Sequence, residues 1–217
     1  MLNRLSVPAL ALALAMGFAA VAGMTLPTTV HAEEAKDDRP TYVDLKGRTS
    51  THEQGKIKMT IFLDFYCGHC HSFDTTIVPV LEKEYGDKLE VEYVGFPLVD
   101  PQASHIPVLA YYLADEQGKG EAMRNALFST IWDLKMDVTR PDILLGVAAK
   151  VGLDLEDFKA GFNEGRMQAR MEQGMKDARA INLRGTPTVL IDNHIKMNDI
   201  SVRGLESVFA MVLKENG

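Results

Sequence analysis

Lys58-Met59-Thr60-Ile61-Phe62-Leu63-Asp64-Phe65-Tyr66-Cys67-Gly68-His69-Cys70-His71 is the stretch that decides the fold. Its first eight residues alternate and are rich in β-branched and aromatic side chains, which is a strand pattern. Phe73, Ile77, Val80 and Leu81 then recur at helical spacing, with Pro79 expected to bend the helix. Gly86-Asp87 ends that helix, and Leu89–Phe96 alternates again as a second strand. Strand, helix, strand of this length is a right-handed parallel crossover. The pair of cysteines sits where the first strand hands over to the helix.

Downstream, the next eighty-odd residues read as helices over Ala103–Asp115, Glu121–Leu134, Asp142–Val151, Leu155–Asn163 and Arg166–Ala180, with Thr139 and Asp154 as N-caps. Strand character returns at Thr188–Ile191, a turn falls at Asp192-Asn193, and a final amphipathic helix carries Leu205, Val208, Phe209 and Val212. Upstream, residues 33–56 are polar and charged and read as a mobile leader with one short strand near Tyr42–Leu45. The pattern predicts an α/β domain over residues 57–217, with a central mixed sheet flanked by helices. A helical insertion, about residues 100–182, separates a βαβ half from a ββα half.

The first 32 residues hold one charge, Arg4, followed by an Ala- and Leu-rich run and by small residues at Val30-His31-Ala32. A basic start, an apolar centre and a small-residue end make a secretory signal, cleaved near Ala32. The apolar run is short for a bilayer span. Its removal leaves 22 basic and 30 acidic side chains, a net of −8, against −7 for the 217-residue chain. That balance argues against a nucleic-acid surface, which needs clustered Lys and Arg. A hydrophobic content of 46% and a charged content of 24% exclude a disordered or collagen-like chain. Two cysteines exclude a disulfide-rich scaffold.

Both cysteines lie four residues from end to end, which makes a purely structural bridge a poor explanation. Closing so short a loop is worth about 2 kcal/mol in chain entropy, against nearly ~5 for a hundred-residue loop. A helix N-terminus favours the thiolate of Cys67 over its thiol, and His69 between the cysteines can add a hydrogen bond or a positive charge. A stabilised thiolate is a good leaving group, so the disulfide becomes oxidising. Cys70, a turn deeper, is expected to be more buried and to act as the resolving thiol. Three alternatives compete. Cys67-x-x-Cys70-His71 matches the attachment sequence of c-type haem, with His71 as axial ligand. A zinc or copper carrier is the second, although structural zinc wants four ligands and no second Cys-x-x-Cys exists. Two inert buried thiols are the third.

Far along the chain, Arg184-Gly185-Thr186-Pro187-Thr188-Val189-Leu190-Ile191 places a proline at the start of an apolar strand. Together with Phe65-Tyr66-Cys67-Gly68-His69-Cys70-His71, Gly95-Phe96-Pro97-Leu98 and the helical insertion, it resembles the thioredoxin-fold, DsbA-like thiol:disulfide oxidoreductases over about residues 57–215. The resemblance implies a cis Pro187 packed beside the redox pair. It also implies a Thr186 backbone free to pair with an extended substrate segment, by β-strand addition. It further implies a periplasmic monomer that needs no cofactor beyond the Cys67–Cys70 disulfide. Such a protein passes that disulfide to reduced cysteines of exported proteins and is reoxidised by a membrane quinone-linked partner. An isomerase or reductase is the nearest alternative activity. Two departures stand out. The buried acid that the family often carries six positions before the first cysteine is replaced by Ile61, and Asp64 is expected on the opposite strand face. Gly68-His69 is the dipeptide of protein disulfide isomerases, and DsbA proper shares only the histidine.

Met167, Met171 and Met175 recur every four residues and read as a packing face before a copper stripe. His52, His105 and His194 are scattered. Glu82/Glu84 and Glu90/Glu92 read as solvated faces, and Trp132 as core.

Overall fold

The computed structural model describes residues 41–214, so the expected signal segment and its cleavage site lie outside the described residues. Five strands form one mixed sheet in the order β1-β5-β4-β2-β3. These are β1 (Tyr42–Asp44), β2 (Ile57–Leu63), β3 (Leu89–Gly95), β4 (Thr188–Ile191) and β5 (Ile195–Met197). β2 and β3 run parallel, Ile61 opposite Tyr93 and Leu63 opposite Gly95. β4 pairs antiparallel on the other side of β2, with Phe62 opposite Thr188. The alternation in β2 sends Ile57, Met59, Ile61 and Leu63 into the main core. Phe62 points the other way and packs with Ala178, Ile181 and Leu190. Burial on both faces is what lets the end of this strand read as a continuous apolar run.

The short strand expected near Tyr42–Leu45 is present as β1, antiparallel to β5. Residues 45–56 then run past the β4–β5 turn. Arg48 Nε donates to Asn193 O at 2.7 Å, and His52 Nδ1 lies 2.7 Å from the buried carboxylate of Asp192. That turn has positive φ at both Asp192 (46°) and Asn193 (65°), the conformation a tight hairpin requires.

The helix after β2 is two helices, α1 (Gly68–Thr76) and α2 (Val78–Tyr85), meeting at Ile77. Pro79 has no N–H for the carbonyl of Thr75, so it fits only in the first turn of a new helix. The insertion between β3 and β4 contains α3 (His105–Glu116), α4 (Gly120–Phe128), α5 (Pro141–Val151), α6 (Leu155–Asn163) and α7 (Gln168–Ala180). Two expectations change in detail here. The helix foreseen to Leu134 ends at Phe128 and continues as a π-turn, Ser129–Asp133. Thr139 is not a cap: its hydroxyl donates to Asp137, and Arg140 precedes the helix that Pro141 starts. Asp154 does cap α6, accepting from the N–H groups of Glu156 (3.0 Å) and Asp157 (3.1 Å). Met167 and Met171 are buried and Met175 packs on the core, as a packing face should. The amphipathic α8 (Val202–Lys214) closes the core with Leu205, Val208, Phe209 and Val212.

Candidate redox site at the β2–α1 corner

Strand β2 ends at Leu63, and the next four residues turn the chain into α1. Asp64 makes that turn. It is fully buried, and its carboxylate accepts from the N–H groups of Tyr66 (2.8 Å), Leu98 (2.8 Å) and Val99 (2.7 Å). The expectation that Asp64 sits on the opposite face of a regular strand is therefore corrected, because the pleat stops one residue earlier. The carboxylate ties the Cys67 loop to the loop after β3. Three backbone donors on one side chain fix it as a structural tie between the two loops. Ile61 is buried where the family often places an acid.

Cys67 is the N-cap residue of α1, and no acidic residue follows in the first turn. Its carbonyl accepts from His71 N–H at 3.1 Å and closes that turn. Cys67 and Cys70 are free thiols, 8% and 2% exposed. The Cys70 thiol donates to the Cys67 sulfur, the Thr186 side chain adds a hydrogen bond to it, and the backbone N–H groups of Cys70 and His69 contribute after these. Against the opposing effect of burial, these donors hold the Cys67 pKa down to about 5. Burial drives the Cys70 thiol strongly upward, and its hydrogen bond to Cys67 adds to that. Two cysteines three residues apart are thus pushed in opposite directions: one sulfur ionises readily, its neighbour stays protonated.

Thr186–Pro187 is a cis peptide bond, and the Cys67 thiol donates to Thr186 O at 3.1 Å. The carbonyl expected to be free for a substrate segment is therefore engaged by the thiol in this form. Beside it runs an open groove lined by His69, Ser72, Phe73, Ile77, Thr186, Pro187 and Ile200. The His69 side chain is exposed along this groove, and its backbone N–H makes the approach to the sulfur. The structure brings Cys67, Cys70, His69, Thr186 and Pro187 together, although 119 residues separate Cys67 from Thr186.

Two features escaped the sequence. Trp132, expected in the core, is half-buried and lies over the corner, its Nε1–H donating to Phe65 O at 2.9 Å. Asp74, one turn after Cys70, is buried against Arg124 of α4 (2.9 Å) and accepts from the Tyr93 hydroxyl at 2.9 Å. A charged residue on the inward face of α1, four positions from Cys70, was the available signal for the second. His71, the axial ligand of the haem reading, is stacked on Trp132 and meets Phe128 at a tilt. Among the described residues, no group of three or more His, Cys, Asp or Glu is placed to hold a metal ion.

Known proteins resemble the chain over most of its length. The family described as a DSBA-like thioredoxin domain matches residues 58–211. The Thiol:disulfide interchange protein DsbA of Pseudomonas aeruginosa is 26% identical over 170 residues, which is 78% of this chain and 79% of the relative. The Probable disulfide bond formation protein D of Bacillus anthracis is 24% identical over 152 residues, 68% of this chain and 70% of that one. The crystal structure of Pseudomonas aeruginosa DsbA superposes with a TM-score of 0.66 at 22% identity, covering 83% of this chain and 96% of that one.

Proposed function

This chain belongs to the DSBA-like thioredoxin domain family and is a thiol:disulfide oxidoreductase, and we propose that it donates a Cys67–Cys70 disulfide to reduced cysteines of exported proteins. One observation carries the reading: Cys67 and Cys70 are free thiols at the start of α1, beside the cis Thr186–Pro187 bond, with donors around the Cys67 sulfur that lower its pKa. A substrate thiolate attacks Cys67 Sγ, the bond to Cys70 breaks, and Cys70 leaves and takes up a proton. The second substrate thiolate then attacks the substrate sulfur of the mixed disulfide. Cys67 departs as its thiolate, which its low pKa makes a good leaving group. Two electrons pass from the substrate dithiol to the cysteine pair, and no separate cofactor takes part. Pro187 and the Thr186 backbone flank the incoming segment, which takes the Thr186 carbonyl once the Cys67 thiol no longer uses it. His69 contributes its N–H to the thiolate.

The location that fits this activity is the periplasm, reached through the signal sequence cleaved near Ala32. A membrane quinone-linked oxidase restores the disulfide of the monomeric protein. Among the described residues no helix is long and apolar enough to cross a membrane.

Equilibration with a glutathione redox buffer tests the direction of transfer. A donor poises near the strongly oxidising value of about −120 mV, and a reductase near about −270 mV. Cys70→Ser is expected to trap substrates on Cys67 as mixed disulfides. A reducing potential together with no trapped species in exported extracts would overturn the reading.

A further inference from the structure

Trp132 is the chain's single tryptophan, and the helical insertion delivers it to the cysteine corner by an irregular piece of backbone. In the π-turn Ser129–Asp133, Leu134 N–H bonds Ser129 O at 3.0 Å, five residues back. Such turns are rare and frequent at functional sites. Four residues beyond Trp132, Met136 N–H reaches back six residues to Thr130 O at 2.9 Å. In between, Lys135 takes a φ of 53°, disfavoured for a residue with a Cβ. The indole sits in the first of these two departures from regular helix and three residues before the second.

That indole touches three points of the segment that carries the cysteines. Its N–H holds the Phe65 carbonyl. Its six-membered ring lies over Gly68, where a Cβ would come within 3.1 Å of Cη2. The same side chain stacks on His71, 5.9 Å between centroids and 7° from parallel. Residues 68 and 71 share one face of α1. The groove beside Pro187 is lined from the other face by His69, Ser72 and Thr76.

We propose that Trp132 is a positioning residue: by pinning residues 65, 68 and 71 it holds the first turn of α1 so that the His69 and Cys70 N–H groups stay aimed at the Cys67 sulfur. The helical insertion is then a working part of the redox site, and Gly68 lets the ring lie close over the first turn. This rests on reading Cys67 as the reacting thiol. The physical link is directional. Hydrogen bonds to an ionised acceptor are the strong ones, and they weaken steeply as the donor swings off line. A first turn free to rock loses that alignment, and the thiolate loses its advantage.

The test is a titration of Cys67 by thiolate absorbance in the reduced full-length protein and its variants, with equilibrium unfolding measured alongside. Trp132→Ala removes all three contacts and is expected to raise the Cys67 pKa by about one unit, a tenfold loss in the thiolate ratio. Passed on to the redox equilibrium, a tenfold change corresponds to about 30 mV. Trp132→Phe keeps the cover over Gly68 and the stack on His71, and is expected to recover more than half of that loss. Should the alanine variant not fold, the phenylalanine variant decides alone, with an expected two- to threefold loss. Gly68→Ala is expected to shift the parent but to add nothing in the Trp132→Ala background, a non-additivity that packing elsewhere would not produce. A Cys67 that ionises readily in the parent and equally readily in both Trp132 variants overturns this inference alone. A parent Cys67 that ionises like free cysteine overturns the proposed function and this inference together.

Discussion

Replacing Arg124 by methionine is expected to remove about 3–5 kcal/mol of stability at pH 7.5, the usual cost of stripping one partner from a buried ion pair. The two side chains are 9% and 5% exposed, with Arg124 Nε 2.9 Å from Asp74 Oδ1. The guanidinium also lies 4.1 Å above the Tyr93 ring, whose hydroxyl donates to the same carboxylate. Methionine keeps most of the apolar stem, so the loss reports the charge. Burial already raises the Asp74 pKa, and Arg124 is the strongest influence pulling it back. Without Arg124 it rises further. The folded chain then holds a proton that the unfolded chain releases near pH 4, so stability falls as pH increases through the folded value. The deficit at pH 5 is therefore expected to be smaller than at pH 7.5. Asp74→Leu/Arg124→Met, which removes both charges, is expected to return within about 1 kcal/mol of the parent. Urea unfolding of the reduced protein at the two pH values measures all of this. A single-variant loss below about 1 kcal/mol, or one independent of pH, would refute the reasoning.

The stability gap between the reduced and oxidised forms should itself depend on pH, because only the reduced form carries an ionising Cys67. Its folded pKa is depressed to about 5 from 9.0, so the added stability is complete above pH 9 and vanishes as pH falls through 5. At pH 7 it is worth about 3 kcal/mol, and paired unfolding curves from pH 4 to 8, where Cys70 stays protonated, should show the decline. Asp64→Asn keeps the oxygen that Leu98 and Val99 share and turns an NH₂ toward the Tyr66 N–H; a loss of about 1–3 kcal/mol and faster hydrogen exchange at Tyr66 are expected. Asp154→Ala removes the cap of α6 and should cost about 1 kcal/mol with Cys67 titration unchanged, since the cap lies in the insertion away from the corner.

The parts of the fold legible in the sequence are those whose signal is local. β2 and β3 announce themselves by alternation, and the cysteine pair and the Thr186-Pro187 strand start carry their own residue types. Asp154 caps α6 from one position away. The parts that were not legible are made by contacts across long separations. Asp64 reads as a strand residue until one sees its carboxylate bonded 34 and 35 residues ahead. Trp132 reads as core because nothing near it in the chain reveals that its N–H meets a carbonyl 67 residues earlier. The π-turn beneath it has no residue signature, since a helix of the same composition would keep the i, i+4 pattern. Asp74 gave only the hint of an inward-facing charge, and nothing near it in the chain shows that Arg124 and the Tyr93 hydroxyl meet it there. Pro79 did signal a break, but its sequence position suggested a bend where the structure has a new helix.

The measurement that tests the account most directly is the titration of Cys67 in the reduced protein, followed by thiolate absorbance from pH 3 to 9. The Cys70 thiol, the Thr186 side chain and the Cys70 and His69 N–H groups around one sulfur should give a midpoint near 5 and an almost fully ionised Cys67 at pH 7. A midpoint between 8 and 9, the range of an ordinary cysteine, would contradict it.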